Sequence, residues 1–150
     1  MSCRRILIIE PNRSLRNGIG RQLVERNFEV SYARDGKTAL EALMGEVLPD
    51  VILLELDLPE SSGWKFLALQ KSIRRISNIP TLVFSKDGKH RRLYEDDQNL
   101  EKTAHIEELL ESLERLCANR ADRAERARRN VVRLRKNPQQ LEFEALRRRG

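Results

Sequence analysis

Residues 51–54, Val-Ile-Leu-Leu, follow Pro49-Asp50 and carry no polar side chain at any position. A strand turns alternate side chains to opposite faces, so a run that is apolar throughout must be covered on both. That is the situation of an interior strand in a parallel sheet. Two further runs of strand length match it: residues 6–9, all aliphatic, and Thr81–Ser85, which Pro80 introduces. Residues 28–33 read as a fourth.

Helix-like patterns separate these runs. Asn12 or Ser14 can cap a helix whose apolar face is Leu15, Ile19 and Leu23, and Gly18 and Gly20 suggest close packing against a sheet. Asp35-Gly36 turns into a helix carrying Ala39, Leu40 and Leu43, and Trp64, Phe66, Leu67 and Ile73 mark another. Strands alternating with helices predict an α/β fold, a doubly wound parallel sheet of five strands. Residues 86–98 break the rhythm, because only Leu93 and Tyr94 are apolar there. The fourth helix is therefore expected to be missing or rudimentary, although Asp87-Gly88 also permits a hairpin with residues 90–95 as an edge strand.

From about Ala104 a long helix is expected, with a core stripe of Ile106, Leu109, Leu110, Leu113, Leu116 and Cys117. Spacings such as Glu111–Arg115 carry it on to about Lys136, ahead of Asn137-Pro138. Charge divides the chain at the same place. Residues 1–117 hold 18 Lys and Arg against 19 Asp and Glu, whereas residues 118–150 hold 11 against 4, so the net charge of +6 belongs to the tail. The expected organisation is a domain at 1–117 and a basic helical extension at 118–150.

The first nine residues contain too short an aliphatic run for a signal-peptide core or a membrane span. Cys3 and Cys117 lie far apart in sequence and match no metal or disulfide spacing. Both observations point to a cytoplasmic protein in a reducing compartment.

Ligands of an open parallel sheet gather beyond the carboxyl ends of its strands. Glu10, Glu55 and Ser85 stand at three such ends, and Lys102 precedes the last helix. With the stretches RILIIEPN, ARDGKTALEAL, PDVILLELDLPESSGW, IPTLVFS and LEKTAHIEELLESL, this arrangement resembles the receiver domain of bacterial response regulators over about residues 4–117. The resemblance implies a flavodoxin-like fold and a signalling role without enzymatic activity. In that family two adjacent acids after strand one bind Mg²⁺, and an aspartate after strand three accepts a phosphoryl group. A Ser or Thr follows strand four, and a lysine followed by proline follows strand five. By position the acid pair becomes Glu10 and Pro11, the phosphoacceptor Glu55, the hydroxyl Ser85 and the lysine Lys102, here followed by Thr103. Pro59 and Gly63 fit the loop pattern.

These departures fall on one chemical step. Pro11 offers no side-chain oxygen to a cation that requires an octahedral oxygen shell. Glu55 carries the nucleophile ~1.5 Å too far, in a transfer governed by positioning and charge neutralisation. The site reads as degenerate, with Mg²⁺ binding weak or lost and no other metal or cofactor implied. The expected function is that of a pseudo-receiver, regulating bacterial signalling by phosphorylation-independent protein–protein interaction. Glu55 then either imitates a phosphorylated aspartate or is an inert acid. The alternatives are a phosphoacceptor response regulator of a two-component system and a nucleic-acid-associated regulator. The second would use Arg120, Arg123, Arg126, Arg129, Arg133 and Lys136 against a polyanion. The tail lacks aromatic residues for stacking on bases, so nucleic acid is not favoured as a partner. Its stripe of Ala121, Ala124 and Ala127 suits helix–helix contact, including a homodimer.

Overall fold

The computed structural model describes residues 3–85, 98–101 and 106–119. Five strands, β1 (Arg5–Ile9), β2 (Glu29–Ala33), β3 (Val51–Leu54), β4 (Thr81–Ser85) and β5 (Gln98–Glu101), form one sheet in the order β2-β1-β3-β4-β5. Every neighbouring pair is parallel. Helices α1 (Arg13–Glu25), α2 (Gly36–Leu43) and α3 (Gly63–Ser72) connect the early strands, and residues 106–119 form α4. By its internal contacts the chain divides into Met1–Cys117 and Ala118–Gly150.

Strand alternation sorts the core into two layers. Leu7 and Ile9 of β1 and Ile52 and Leu54 of β3 face α2 and α3, packing on Ala39, Leu43, Phe66 and Leu67. Their neighbours Ile6, Ile8, Val51 and Leu53 turn the other way, onto Ile19 and Leu23 of α1 and Leu109, Leu113 and Leu116 of α4. Val51 to Leu54 are all buried, which is why no polar residue interrupts that run.

Caps start the helices where the sequence supplies them. Asn12, not Ser14, caps α1 by accepting the Leu15 N–H at 3.0 Å. Asp35 caps α2 through the Thr38 N–H at 2.7 Å, and Ser62 caps α3 through the Lys65 N–H at 3.2 Å. Ile73 is the extended residue that ends α3 rather than part of its helical face.

Of the two glycines in α1, Gly20 is the one with a close neighbour, the exposed end of a side chain that can swing aside. A Cβ there would run into the Tyr32 ring on β2, whereas one on Gly18 would meet open space. Arg115 donates to Ser112 Oγ at 3.1 Å, so its expected pairing with Glu111 is not the contact formed.

The cysteines depart furthest from the sequence reading. Cys3, just before β1, and Cys117, on α4, form a disulfide with Cα atoms 5.6 Å apart across 114 residues of sequence. Helices that cross between parallel strands run back against them, so the last turn of α4 ends where β1 begins. Sequence spacing does not register that return, and the pair gives no argument for a reducing compartment. Of residues 86–98, where a helix is expected to be missing or rudimentary, only Gln98 is described, as the first residue of β5. The rest of that segment and the tail from 120 to Lys136 lie outside the described residues.

Candidate functional site

The strand order places the topological switch point between β1 and β3, and Glu10 and Glu55 are the residues that immediately follow those strands. Ile9 pairs with Leu54 in the ladder, and the Glu55 N–H donates to the Ile9 carbonyl at 3.0 Å. The two glutamates are therefore held beside one another at the carboxyl end of the sheet. Both are buried, with relative exposures of 4% for Glu10 and 5% for Glu55. Such burial is unusual for carboxylates and demands hydrogen-bond donors close by.

Each acid finds a donor in its own loop. Glu10 Oε1 accepts the Asn12 N–H at 3.2 Å, and Glu55 Oε1 accepts the Asp57 N–H at 3.0 Å. Both bonds reach two residues forward, so each side chain folds back over the start of its loop. Arg16, one turn into α1, donates to the Glu10 carbonyl at 2.9 Å and brings a guanidinium to the same end of β1.

The loop after Glu55 is tightly closed. The Gly63 N–H donates to the Leu56 carbonyl at 2.7 Å, and Leu58 and Ser61 donate to the carbonyls of Leu56 and Pro59. A Cβ on Gly63 would lie 2.6 Å from Leu56 Cα and 2.7 Å from the Glu55 carbonyl. Backbone approaches so closely here that only glycine fits. Glu60 sits at φ 66°, a left-handed conformation that glycine or asparagine adopts at lower cost. Leu56, Leu58 and Phe66 anchor the loop in the core, with Trp64 half-buried against the same layer.

The structure thus brings Glu10, Pro11 and Glu55 to one place. Ser85 ends β4, two residues beyond the Val83 that pairs with Leu54 of β3. Lys102 follows β5 directly in sequence and lies outside the described residues, as do Arg120, Arg123, Arg126, Arg129, Arg133 and Lys136.

The donor set does not fit Mg²⁺ well. Pro11 supplies no side-chain oxygen, and each glutamate already spends one oxygen on a backbone N–H. Sequence reasoning missed Arg16 and the two loop N–H donors. A backbone donor leaves no signature in residue type, and the Arg16 contact depends on the exit angle of α1.

Residues 6–114 match the response regulator receiver domain. The chain is 27% identical over 121 residues to the transcriptional regulatory protein PhoP of Escherichia coli O157:H7, covering 75% of this chain and 51% of that protein. It is 33% identical over 91 residues to the two-component response regulator-like protein APRR5 of Arabidopsis thaliana, covering 60% of this chain and 16% of that one. The chain thus spans about half or less of the length of these curated relatives. Among solved structures, the chemotaxis response regulator CheY4 of Vibrio cholerae superposes with a TM-score of 0.67 at 23% identity, over 77% of this chain and 99% of that one. A sensor protein from Polaromonas sp. JS666 gives 0.71 at 21% identity, over 79% and 99%. No helix among the described residues is long and apolar enough to cross a membrane. With a match across 6–114, a parallel β2-β1-β3-β4-β5 sheet and acids at its switch point, the chain belongs to the response regulator receiver domains, which are signalling domains and not enzymes.

Proposed function

We propose that this chain is a pseudo-receiver that regulates a bacterial signalling pathway by protein–protein interaction, without control by phosphorylation. The observation that carries the reading is the hydrogen bond from the Asp57 N–H to Glu55 Oε1 at 3.0 Å. It turns the carboxylate at the phosphoacceptor position back onto its own loop. Phosphoryl transfer needs the acceptor oxygen in line with the leaving group and a cation to neutralise the developing charge. The fold of Glu55 works against the first requirement and Pro11 against the second. A relative described as response regulator-like accords with this reading.

In this reading Glu55 acts as a fixed carboxylate that partly imitates a phosphorylated aspartate toward Ser85 and Lys102. The imitation falls short in charge, one unit against about 1.5 to 2 for a phosphoryl group. Mg²⁺ binding is weak or absent. The basic residues Arg120–Lys136 serve a protein partner or a second copy of the chain rather than a specific nucleic acid sequence.

Mass spectrometry after treatment with acetyl phosphate and Mg²⁺ tests the proposal. We expect the mass of the chain to be unchanged. A stoichiometric, base-labile adduct on Glu55 would overturn it in favour of a phosphoacceptor, the reading suggested by relatives described as transcriptional regulatory proteins.

A further inference from the structure

We propose that Cys3 and Cys117 are a redox modification site, a reversible thiol–disulfide clasp that fastens the last helix of the sheet domain to the start of its first strand. The pair stands at the amino end of the sheet, opposite the end that carries Glu10 and Glu55, so the inference is independent of how those acids are read.

Placement is the first support. The Cα atoms are 5.6 Å apart, inside the range that a disulfide spans without backbone movement. The chain has two cysteines in 150 residues, so one intramolecular product is available and no third thiol competes for it.

Access is the second support. Both residues are half-buried at the margin of the layer formed by Ile6, Leu113 and Leu116. A small disulfide reagent can reach them there, whereas a bond sealed in the core would be closed to exchange.

The third support is what holds α4 without the bond. Leu109, Leu113 and Leu116 are buried against the sheet, with relative exposures of 2%, 0% and 2%. Apolar packing keeps this helix in place, so opening the bond releases its last turn rather than the domain. Cys117 is also the final residue of the first unit, and the next residue in sequence opens the basic segment.

The oxidant is a low-molecular-weight disulfide such as oxidised glutathione. The thiolate of one cysteine attacks it, forming a mixed disulfide and expelling one glutathione thiolate. The second cysteine thiolate then attacks the protein sulfur of that mixed disulfide, which forms the Cys3–Cys117 bond and expels the other glutathione. The two protons lost by the cysteines end on the two glutathione thiols. Reduced glutathione runs both steps in reverse. Closing so long a loop restricts the unfolded chain strongly, and opening it lowers the Tm by about 10 °C.

The test equilibrates the full chain in buffers of graded reduced to oxidised glutathione, quenches with acid, alkylates, and reads intact mass, peptide map and Tm. We expect a single transition between a dithiol and a species lighter by two hydrogens, with Cys3 and Cys117 peptides linked. The Tm should follow the linked fraction. Cys3→Ser and Cys117→Ser should each show the lower Tm at every ratio. The double variant Cys3→Ala, Cys117→Ala keeps the apolar packing and serves if a serine variant fails to fold. Alkylation of both cysteines at every ratio, glutathione adducts or cross-linked dimers as the main products, or equal Tm values in the two states would each overturn the clasp. So would a bond that survives every reducing ratio in the folded chain.

Discussion

The two ends of the sheet are held by different kinds of contact. At the carboxyl end the side-chain hydrogen bonds are short in sequence: Glu10 to Asn12, Glu55 to Asp57, and Asp35 to Thr38. At the amino end they tie separate elements together. Asp50 Oδ2 accepts the N–H groups of Arg4 and Arg5 at 2.9 and 3.0 Å, joining the start of β3 to the start of β1. Fully buried Gln70 donates to the carbonyls of Ile76 and Ile79 at 3.1 and 3.0 Å and accepts the Thr81 hydroxyl at 3.1 Å. Arg75 donates to Leu43 and Gly45 at the end of α2, some 30 residues away. Long-range bonds at one end fix which elements lie together. Local bonds at the other shape loops whose residues can change while the fold stays the same, as a signalling site within a shared fold requires.

Gln70→Ala should break the comparison hardest. It removes one of the donors to the Ile76 and Ile79 carbonyls, which keep the Ile79 N–H and Lys71 Nζ, takes an acceptor from the Thr81 hydroxyl and leaves a void, for about 2 kcal/mol of lost stability in denaturant unfolding. Asp50→Ala should cost about 1.5 kcal/mol, because its bonds are closer to solvent. Neither change should alter partner binding at temperatures where the chain is folded. A stability loss from Asp50→Ala no greater than that from a surface control such as Ser72→Ala would remove the amino end's special standing.

Glu60→Gly should raise stability by about 1 kcal/mol, since the residue already holds a left-handed φ that glycine adopts without strain. A loss of stability there would mean that the Glu60 side chain does more than its backbone costs. Glu55→Gln keeps an acceptor for the Asp57 N–H and should change stability by less than about 0.5 kcal/mol. Binding to the partner should nevertheless weaken if the charge is what the partner reads. Unchanged binding would make Glu55 an inert relic.

The smallest effect expected is one of pH. Hydrogen bonds from the Thr38 hydroxyl and N–H, helped by Arg34, hold the Asp35 carboxyl below its ordinary value of 3.8. A depressed carboxyl adds stability that is complete above that value and drains away as the pH falls through the lower folded one. Asp35→Asn should therefore flatten the acid limb of the stability curve by lowering stability at neutral pH, while leaving it unchanged at pH values where Asp35 is already protonated. An identical acid limb in the variant would show that the cap contributes no pH dependence.

Much of this molecule follows from side-chain alternation alone. A run apolar on both faces could only be an interior parallel strand, and the helical stripes between such runs could only pack on its two sides. Because ligand sites in that topology form at strand ends, Glu10 and Glu55 were identifiable by their distance from the runs, and the resemblance to receiver domains added Pro11. Against the acids that resemblance implies, residue type then exposed the misfit, since proline has no side-chain oxygen and glutamate is longer than aspartate. Tertiary structure alone decided where those carboxylates turn, because their donors are backbone N–H groups that every residue but proline possesses. It alone selected Gln70 and Asp50 from among polar residues of ordinary appearance, since a partner outside the residue's own element leaves no local pattern. Cys3 and Cys117 show the limit most plainly. Their separation in sequence argued against a bond, and the return of α4 along the sheet brought them together.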